Sequence, residues 1–459
     1  MPSLAAGCHP SRSWLKKLSQ SSSAQPDKEF ILSGHTFAQV FEMAAWLKDF
    51  YSSAGCNEKT ICLAAENKAI IAAALLASLD GGPVLLLPFA FSKSALQEMQ
   101  QAGGFIFAIS DVERDFPAET KVICPEPGQA GSLGNLLEIN PHAELLRLFT
   151  GGSTGAPKSW SKTANNLFSE AFYLSEKHHI TDNDLIVATV SPYHIYGLLY
   201  SVLAPLLSLA TVMAGTPSFP GEISEAVQKH CATIFVSVPV HYRVLKGRPI
   251  SNNSLRLAFS SAGMLAQTDN EEFCRQNDIP VIEVYGSTET GGIAARVRHH
   301  GEQAFFPFDT VEWNIRHETL YVRSDYIAPD TEKDENGFFV ANDRVELTDD
   351  DKGFFLKGRT DTVTKVGGKR VDLEEVRDTI KKQPGVAECL VISMDDPGGR
   401  EKIIAALVQG KRVNLKELRK NIAGQLEPYA QPRLIKKAAA FPLTANGKYD
   451  LAAIRQLFA

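Results

Sequence analysis

The sequence is short of several things, and each shortage narrows the reading. None of the seven cysteines (Cys8, Cys56, Cys62, Cys124, Cys231, Cys274 and Cys389) stands in a C-x-x-C pair, which argues against a zinc knuckle or a dithiol redox site. An odd, scattered set suits a reducing compartment, so a cytoplasmic location is expected. There is no excess of positive charge: 47 Lys and Arg face 53 Asp and Glu, a net of -6. That balance gives no support to a general nucleic-acid or anionic-membrane binder. Internal repeats at solenoid periods are absent. So is an unbroken apolar run of the ~20 residues that a membrane helix needs. The nearest approach is the uncharged stretch between Asp184 and Glu222, which is interrupted by Pro192, Gly197, Pro205, Gly215, Pro217 and Pro220. The segment Leu4 to Cys8 resembles a lipoprotein processing site, but no basic start and no apolar stretch of ~7–15 residues precede Cys8, so lipidation is not expected.

What is present is an ordinary globular composition, 44% hydrophobic and 22% charged over 459 residues, enough for two unequal domains. Residues 1–34, Ser-rich from Gln20 to Pro26, read as a mobile lead-in. From Lys59 to Gly286 short apolar runs read as strands: Ile61 to Ala64, Val84 to Leu87, Phe105 to Ile109, Leu185 to Val190, Thr233 to Val238, Leu255 to Phe259 and Val281 to Val284. Helix-like stretches lie between them, such as Lys68 to Leu79, Ser92 to Gln101 and Ala164 to Lys177. This alternation predicts an α/β fold with largely parallel sheets covered on both faces, whose ligands sit at the carboxyl ends of strands. Residues 303–357 read as short strands with turns. From about 360 onward the texture is that of a small α+β unit, with helices near 373–382, 415–424 and 450–457.

The segment Thr150-Gly151-Gly152-Ser153-Thr154-Gly155-Ala156-Pro157-Lys158 is the most informative. An apolar run leads into it, and a helix-like stretch follows. Its three glycines let backbone N–H groups approach an anion, while three hydroxyls and a lysine add donors and charge; a polyphosphate cradle needs this make-up. It is not a Walker loop, because no Gly-Lys pair fits that pattern; Gly447-Lys448 is followed by Tyr449. Residues 151–155 also satisfy G-x-S-x-G, the nucleophile elbow of serine hydrolases, set between a strand and a helix. An elbow serine has no use for the neighbouring hydroxyls and lysine. The phosphate cradle is therefore the first reading, with an elbow at Ser153 and a ligand-free loop still open.

The whole segment resembles the phosphate loop of the adenylate-forming superfamily: acyl- and aryl-CoA synthetases, luciferases and peptide-synthetase adenylation domains. Gly151 stands where serine is usual. Four further segments agree in order and spacing across roughly residues 35 to 450. Tyr285-Gly286-Ser287-Thr288-Glu289 matches Y-G-x-T-E; the resemblance implies that Glu289 binds Mg²⁺, Thr288 contacts the α-phosphate and Tyr285 packs on adenine. Ala262 and Gly263 look like the adenine-contacting turn. Asp343 matches the ribose-binding aspartate of T-G-D, although Ala341 and Asn342 replace the first two residues. Gly358 to Gly368 resembles G-R-x-D-x-x-x-K-x-x-G: Arg359 would reach the nucleotide, Asp361 would be the hinge, and Lys365, Gly367 and Gly368 would flank the thiol's arm. Pro442 to Lys448 resembles P-x-T-x-x-G-K, making Lys448 the catalytic lysine.

The resemblance implies an N-terminal adenylation domain over 35–360 and a mobile C-terminal lid over 361–459. It implies that a carboxylic acid attacks the α-phosphate of ATP, and that the acyl-adenylate then passes to a thiol, either coenzyme A or carrier-protein phosphopantetheine. Tyr193, His194, Gly197 and Val238 fall in the expected acid-binding stretch. No carboxylate lies between Asp184 and Glu222 to hold an ammonium group, which argues against an amino acid and for an aromatic or fatty acid. Arg296, Arg298, His299, His300, Lys365, Lys369 and Arg370 are candidate cations for the thiol acceptor. A serine hydrolase on Ser153 and a catalytically silent nucleotide-binding homologue remain as alternatives.

Overall fold

The computed structural model describes residues 10–57, 59–128, 133, 135–150, 158–250, 254–298, 303–359, 363–366, 369–395, 402–443 and 449–458. The chain divides into two compact units. The first is Met1–Trp313 with Val322–Phe339; the second is Asn314–Tyr321 with Val340–Ala459.

The first unit is built on two sheets. One has six strands: β1 (Thr60–Leu63), β2 (Val84–Leu87), β3 (Phe107–Ile109), β4 (Lys121–Ile123), β5 (Glu144–Thr150) and β6 (Lys158–Thr163), in the order β4-β3-β1-β2-β5-β6. All neighbours are parallel except β5 and β6. The other has seven: β7 (Leu185–Ala188), β8 (Thr211–Val212), β9 (Ile234–Ser237), β10 (Leu257–Ser260), β11 (Val281–Ser287), β12 (Gly291–Val297) and β13 (Phe306–Pro307), in the order β13-β12-β11-β10-β9-β7-β8. It is parallel from β8 to β11 and antiparallel beyond. β7 and β9 are buried at every residue, the condition that makes such strands read as continuous apolar runs.

Four helices precede or flank the first sheet: α1 (Pro10–Ala24), α2 (Phe37–Ser53), α3 (Lys68–Leu79) and α4 (Lys93–Gly103). Every residue of α3 is buried, and Asn67 caps it by accepting from the Ala69 N–H. α1 corrects the expected lead-in. Its Trp14, Leu15 and Leu18 are buried along one side. Trp14 stacks on Phe168 at 4.8 Å and donates from Nε1 to Asn165 at 3.2 Å. One buried indole thus anchors a segment whose serines suggested none. Among the described residues no helix is long and apolar enough to cross a membrane.

Strands β14 (Glu312–Arg316), β15 (Thr319–Arg323), β16 (Phe339–Leu347) and β17 (Phe354–Arg359) form a four-stranded sheet in that order, from the stretch expected to hold short strands. The second unit continues with the hairpin β18 (Val363–Val366) and β19 (Lys369–Asp372). It ends on the three-stranded sheet β20 (Glu388–Asp395), β21 (Lys402–Gln409) and β22 (Leu434–Lys437). Its helices Leu373–Lys381 and Leu415–Ala423 bury Val376, Ile380, Leu418 and Ile422 against Ile404 and Ala406 of β21. Residues 340–360 cluster with this unit.

Candidate active site

The glycine-rich segment joins two antiparallel strands. Thr150 at the end of β5 pairs with Lys158 at the start of β6, and the register runs back from Phe149–Ser159 to Leu146–Lys162. Helix α5 (Ala164–Lys177) begins only after β6, capped by Thr163, which accepts from the Asn166 N–H. This corrects the expected strand–loop–helix order, and the nucleophile-elbow reading falls with it, because an elbow serine requires a strand-to-helix turn. Alternating serines conceal β6, a mostly polar strand next to β5. Gly151, Gly152, Ser153, Thr154 and Gly155 lie outside the described residues, as does the side chain of Thr150. Lys158 is exposed.

The second segment is also the tip of a hairpin. β11 and β12 pair antiparallel, with Ser287 opposite Gly291 and a register shift at Tyr285/Gly286. Thr288, Glu289 and Thr290 form the three-residue loop, and Gly291 follows at φ +67, the left-handed position such loops use to close. A Cβ on Gly286 would lie 2.2 Å from the Gly291 carbonyl oxygen. Buried Thr290 ties the loop: its Oγ1 accepts from the Ser287 N–H at 3.1 Å and donates to the Gly291 carbonyl at 2.8 Å. Thr288 and Glu289 are half-buried, and no described residue hydrogen-bonds the Glu289 carboxylate. A lone half-buried carboxylate of this kind fits Mg²⁺, which keeps several waters and takes few protein ligands rather than filling a protein cage. Among the described residues no three His, Cys, Asp or Glu cluster as such a cage.

Behind this loop lie two charges that sequence reading missed. Lys162 of β6 is 1% exposed and Glu170 of α5 is 3% exposed. Lys162 Nζ donates to the carbonyls of Tyr326 at 2.8 Å and Glu289 at 3.1 Å. The Glu170 carboxylate accepts from the Gly292 N–H at 2.7 Å. Burial pushes the Lys162 ammonium down and the Glu170 carboxyl up, and each is partly countered by the other's charge.

Tyr285 packs its ring against Phe305 at 5.6 Å, and the Arg296 guanidinium sits over Phe305 at 4.3 Å. Arg296 and Arg298, proposed above as cations for a thiol acceptor, are both committed inward. They pair with the buried Glu283 at 2.9 and 2.5 Å, and Arg298 also donates to the Leu265 carbonyl at 2.6 Å. An arginine paired this way is not a free phosphate ligand. The antiparallel register brings them there, for Arg296 is the direct partner of Glu283. His299 and His300 lie outside the described residues. The Ser261–Gly263 turn follows β10; Ser261 Oγ donates to the Val284 carbonyl at 2.8 Å, and Ala262 sits at φ +65, a conformation that strains a residue with a Cβ.

The expected acid-binding residues divide. Tyr193 is buried, donates to the Ala65 carbonyl at 2.6 Å and packs edge-on against Phe91, so its polar end is already satisfied by the fold. Gly197 is a packing glycine: a Cβ there would lie 2.0 Å from the Ser191 carbonyl oxygen. Val238 and half-buried His194 each stand at the N-cap of a short helix, Pro239–Val244 and Ile195–Leu198. A polar chain that sequence reading did not identify lies alongside. His241 Nδ1 shares a hydrogen bond with Thr189 Oγ1 at 2.8 Å, and that hydroxyl shares another with Ser237 Oγ at 2.7 Å. Burial lowers the His241 pKa.

Thr189–His194, Ser237–His241, Ser260–Gly263 and Tyr285–Glu289 thus all lie at the carboxyl ends of β7, β9, β10 and β11, adjacent strands of one sheet. That edge is where open α/β sheets bind ligands. In the second unit Asp343 and Arg359 are register partners across β16 and β17, so the two residues expected to hold ribose and phosphate sit side by side on the backbone. Lys365 lies on β18. Asp361, Gly367, Gly368 and Lys448 lie outside the described residues.

Comparison with known proteins identifies the family and the fold. Residues 19–356 match the AMP-binding enzyme family and residues 375–448 match the AMP-binding enzyme C-terminal domain. The chain is 25% identical to the sulfoacetate–CoA ligase of Cupriavidus necator, over 92% of this chain and 93% of that protein. It is 26% identical to acetyl-coenzyme A synthetase 1 of Kluyveromyces lactis over 70% of its own length, and spans little more than half of that relative, 54%. Its fold is shared with the o-succinylbenzoate CoA synthetase of Bacillus subtilis bound to an acyl-adenylate, with TM-score 0.79, 19% identity, and coverage of 96% of this chain and 97% of the other. With one family matched from residue 19 to residue 356, the chain belongs to the AMP-binding enzymes.

Proposed function

We propose that the chain is an AMP-forming acid–thiol ligase: it activates a carboxylic acid with ATP, releasing pyrophosphate, and passes the acyl group to coenzyme A. The gathering of the Tyr285–Glu289 loop, the Ser261–Gly263 turn and the Thr189–His194 segment on one sheet edge carries this reading. The acid's carboxylate oxygen attacks the α-phosphorus, the bond to the β-phosphate oxygen breaks, and pyrophosphate leaves. Two anions repel at that step. Loop residues 150–158 and Thr288 offer donors to the phosphates, Tyr285 packs on the adenine, and Asp343 and Arg359 hold ribose and phosphate. Lys448 steadies the carboxylate and the charge developing at phosphorus. Glu289 would hold Mg²⁺, which when bound offsets phosphate charge. In the second half-reaction a thiolate attacks the acyl carbon and AMP leaves. We assign Asp361 the hinge, with the adenylation domain before it and the lid after it, and Lys365, Gly367 and Gly368 the thiol's path.

The acid is read as aromatic or fatty, because residues 185–221 carry no charge to pair an ammonium group. The scattered cysteines favour a reducing, cytoplasmic setting. The deciding experiment is pyrophosphate release from Mg·ATP across a panel of benzoates, cinnamates and fatty acids, followed by transfer to coenzyme A or to a holo carrier protein. Acid-dependent release should fall about 10²–10³-fold in Lys448→Ala, the scale of one lost transition-state donor. Failure to bind ATP at all would sink the reading.

A further inference from the structure

Lys162 and Glu170 are expensive for packing elements. Burying a charge is costly unless hydrogen bonds compensate it, and Leu146, the register partner of Lys162, shows that this layer accepts an apolar side chain. What the pair supplies is placement. One ammonium draws together the carbonyls of Glu289 and Tyr326, which belong to separate segments. The Ala328 N–H adds a second bond to the Glu289 carbonyl at 2.7 Å. Three residues on, the Glu170 carboxylate takes the Gly292 N–H. It occupies the space that a Cβ on Gly291 or Gly292 would need, 2.4 and 3.0 Å from the nearest carboxylate oxygen. Asn166, one turn earlier on α5, donates to the carbonyls of Asp325 at 2.6 Å and Ile327 at 3.1 Å. The loop bearing Thr288 and Glu289 is thus held from behind at its middle and just past its C-terminal end, by residues that follow the phosphate loop directly in sequence.

We propose that Lys162 and Glu170 are positioning residues that fix the Thr288–Glu289 loop for the metal–nucleotide complex, tying it to the strand and helix that follow the phosphate loop. This rests on the reading of Glu289 as the Mg²⁺ ligand. It predicts that the pair governs the part of nucleotide affinity that depends on the metal, without itself touching nucleotide.

The test is calorimetric binding of α,β-methylene-ATP, which cannot release pyrophosphate, in excess Mg²⁺ and again in EDTA. Lys162→Met strands the Glu170 charge and risks misfolding, so the neutral pair Lys162→Met/Glu170→Gln is the principal variant and Glu289→Gln the reference. Glu289→Gln should lose the Mg²⁺-dependent gain in affinity. The neutral pair should lose about tenfold of that gain, the worth of one hydrogen bond to a charged group, while its affinity in EDTA stays unchanged. Combining the three substitutions should weaken binding no further than Glu289→Gln alone. A merely structural defect would lower affinity in both buffers and add to the Glu289 effect, which would overturn the proposal. A full Mg²⁺-dependent gain in the neutral pair, alongside its loss in Glu289→Gln, would overturn the proposal and leave Glu289 standing. A full gain in Glu289→Gln would remove the metal reading and the proposal together.

Discussion

A methyl group at position 197 would lie 2.0 Å from the Ser191 carbonyl oxygen and 2.9 Å from that of Val190. Both obstacles are backbone and cannot swing aside. Gly197→Ala should therefore destabilise the protein by about 3 kcal/mol, the upper end of ordinary overpacking, read as a drop in the denaturant midpoint. A glycine lining an open pocket would accept the methyl with little change in stability. The sequence could not separate these two roles, since both call for a small residue beside His194. The same limit applies at Arg296 and Arg298. Their charge was legible, but not their partner, because Glu283 lies across an antiparallel register that only the fold fixes. The turn that carries Tyr285 and Glu289 was legible as a motif because its residues are neighbours in sequence.

At the scale of elements, both loops expected to meet the nucleotide join antiparallel strands attached to otherwise parallel sheets. Apolar runs found β2 and α3 to the residue, since two-sided burial writes itself into sequence as unbroken hydrophobicity. β6 escaped because Lys-Ser-Trp-Ser-Lys-Thr shows no apolar alternation; pairing with β5 makes it a strand. α1 escaped because its burial centres on one tryptophan and two leucines amid serines. The β11–β12 loop allows a direct test. Thr290→Val keeps the shape but leaves the Ser287 N–H without its acceptor. It should cost about 1–3 kcal/mol and speed amide exchange at residues 287–292 while leaving β7 and β9 protected.

At the scale of the molecule, acid should weaken the first unit in two stages. Burial, helped by Lys177, Arg256 and His179, holds His178 down at about 4 against an ordinary 6.5. Below 6.5 the unfolded chain takes a proton that the fold refuses, so stability drains away as pH falls toward 4. The loss should reach about 2–3 kcal/mol, and His178→Asn should flatten that limb in urea titrations at successive pH values. Asp184 follows at lower pH. Burial raises its carboxyl, but Arg256, the Thr181 N–H and Thr233 outweigh it and bring it below the usual range, so its contribution persists above that range and is lost as pH falls through its folded value. The six-stranded sheet has a further consequence. Among the described strands β6 is one of its two edges, with β4 the other, and such an edge invites another chain to add itself by backbone pairing. Here the Ser161 N–H is already taken by the Asp330 carboxylate at 3.1 Å, and the exposed Lys158 guards the strand's first position. A charge at the start of such an edge discourages that pairing, so replacing Lys158 with an apolar residue should lower solubility, read as light scattering at rising protein concentration.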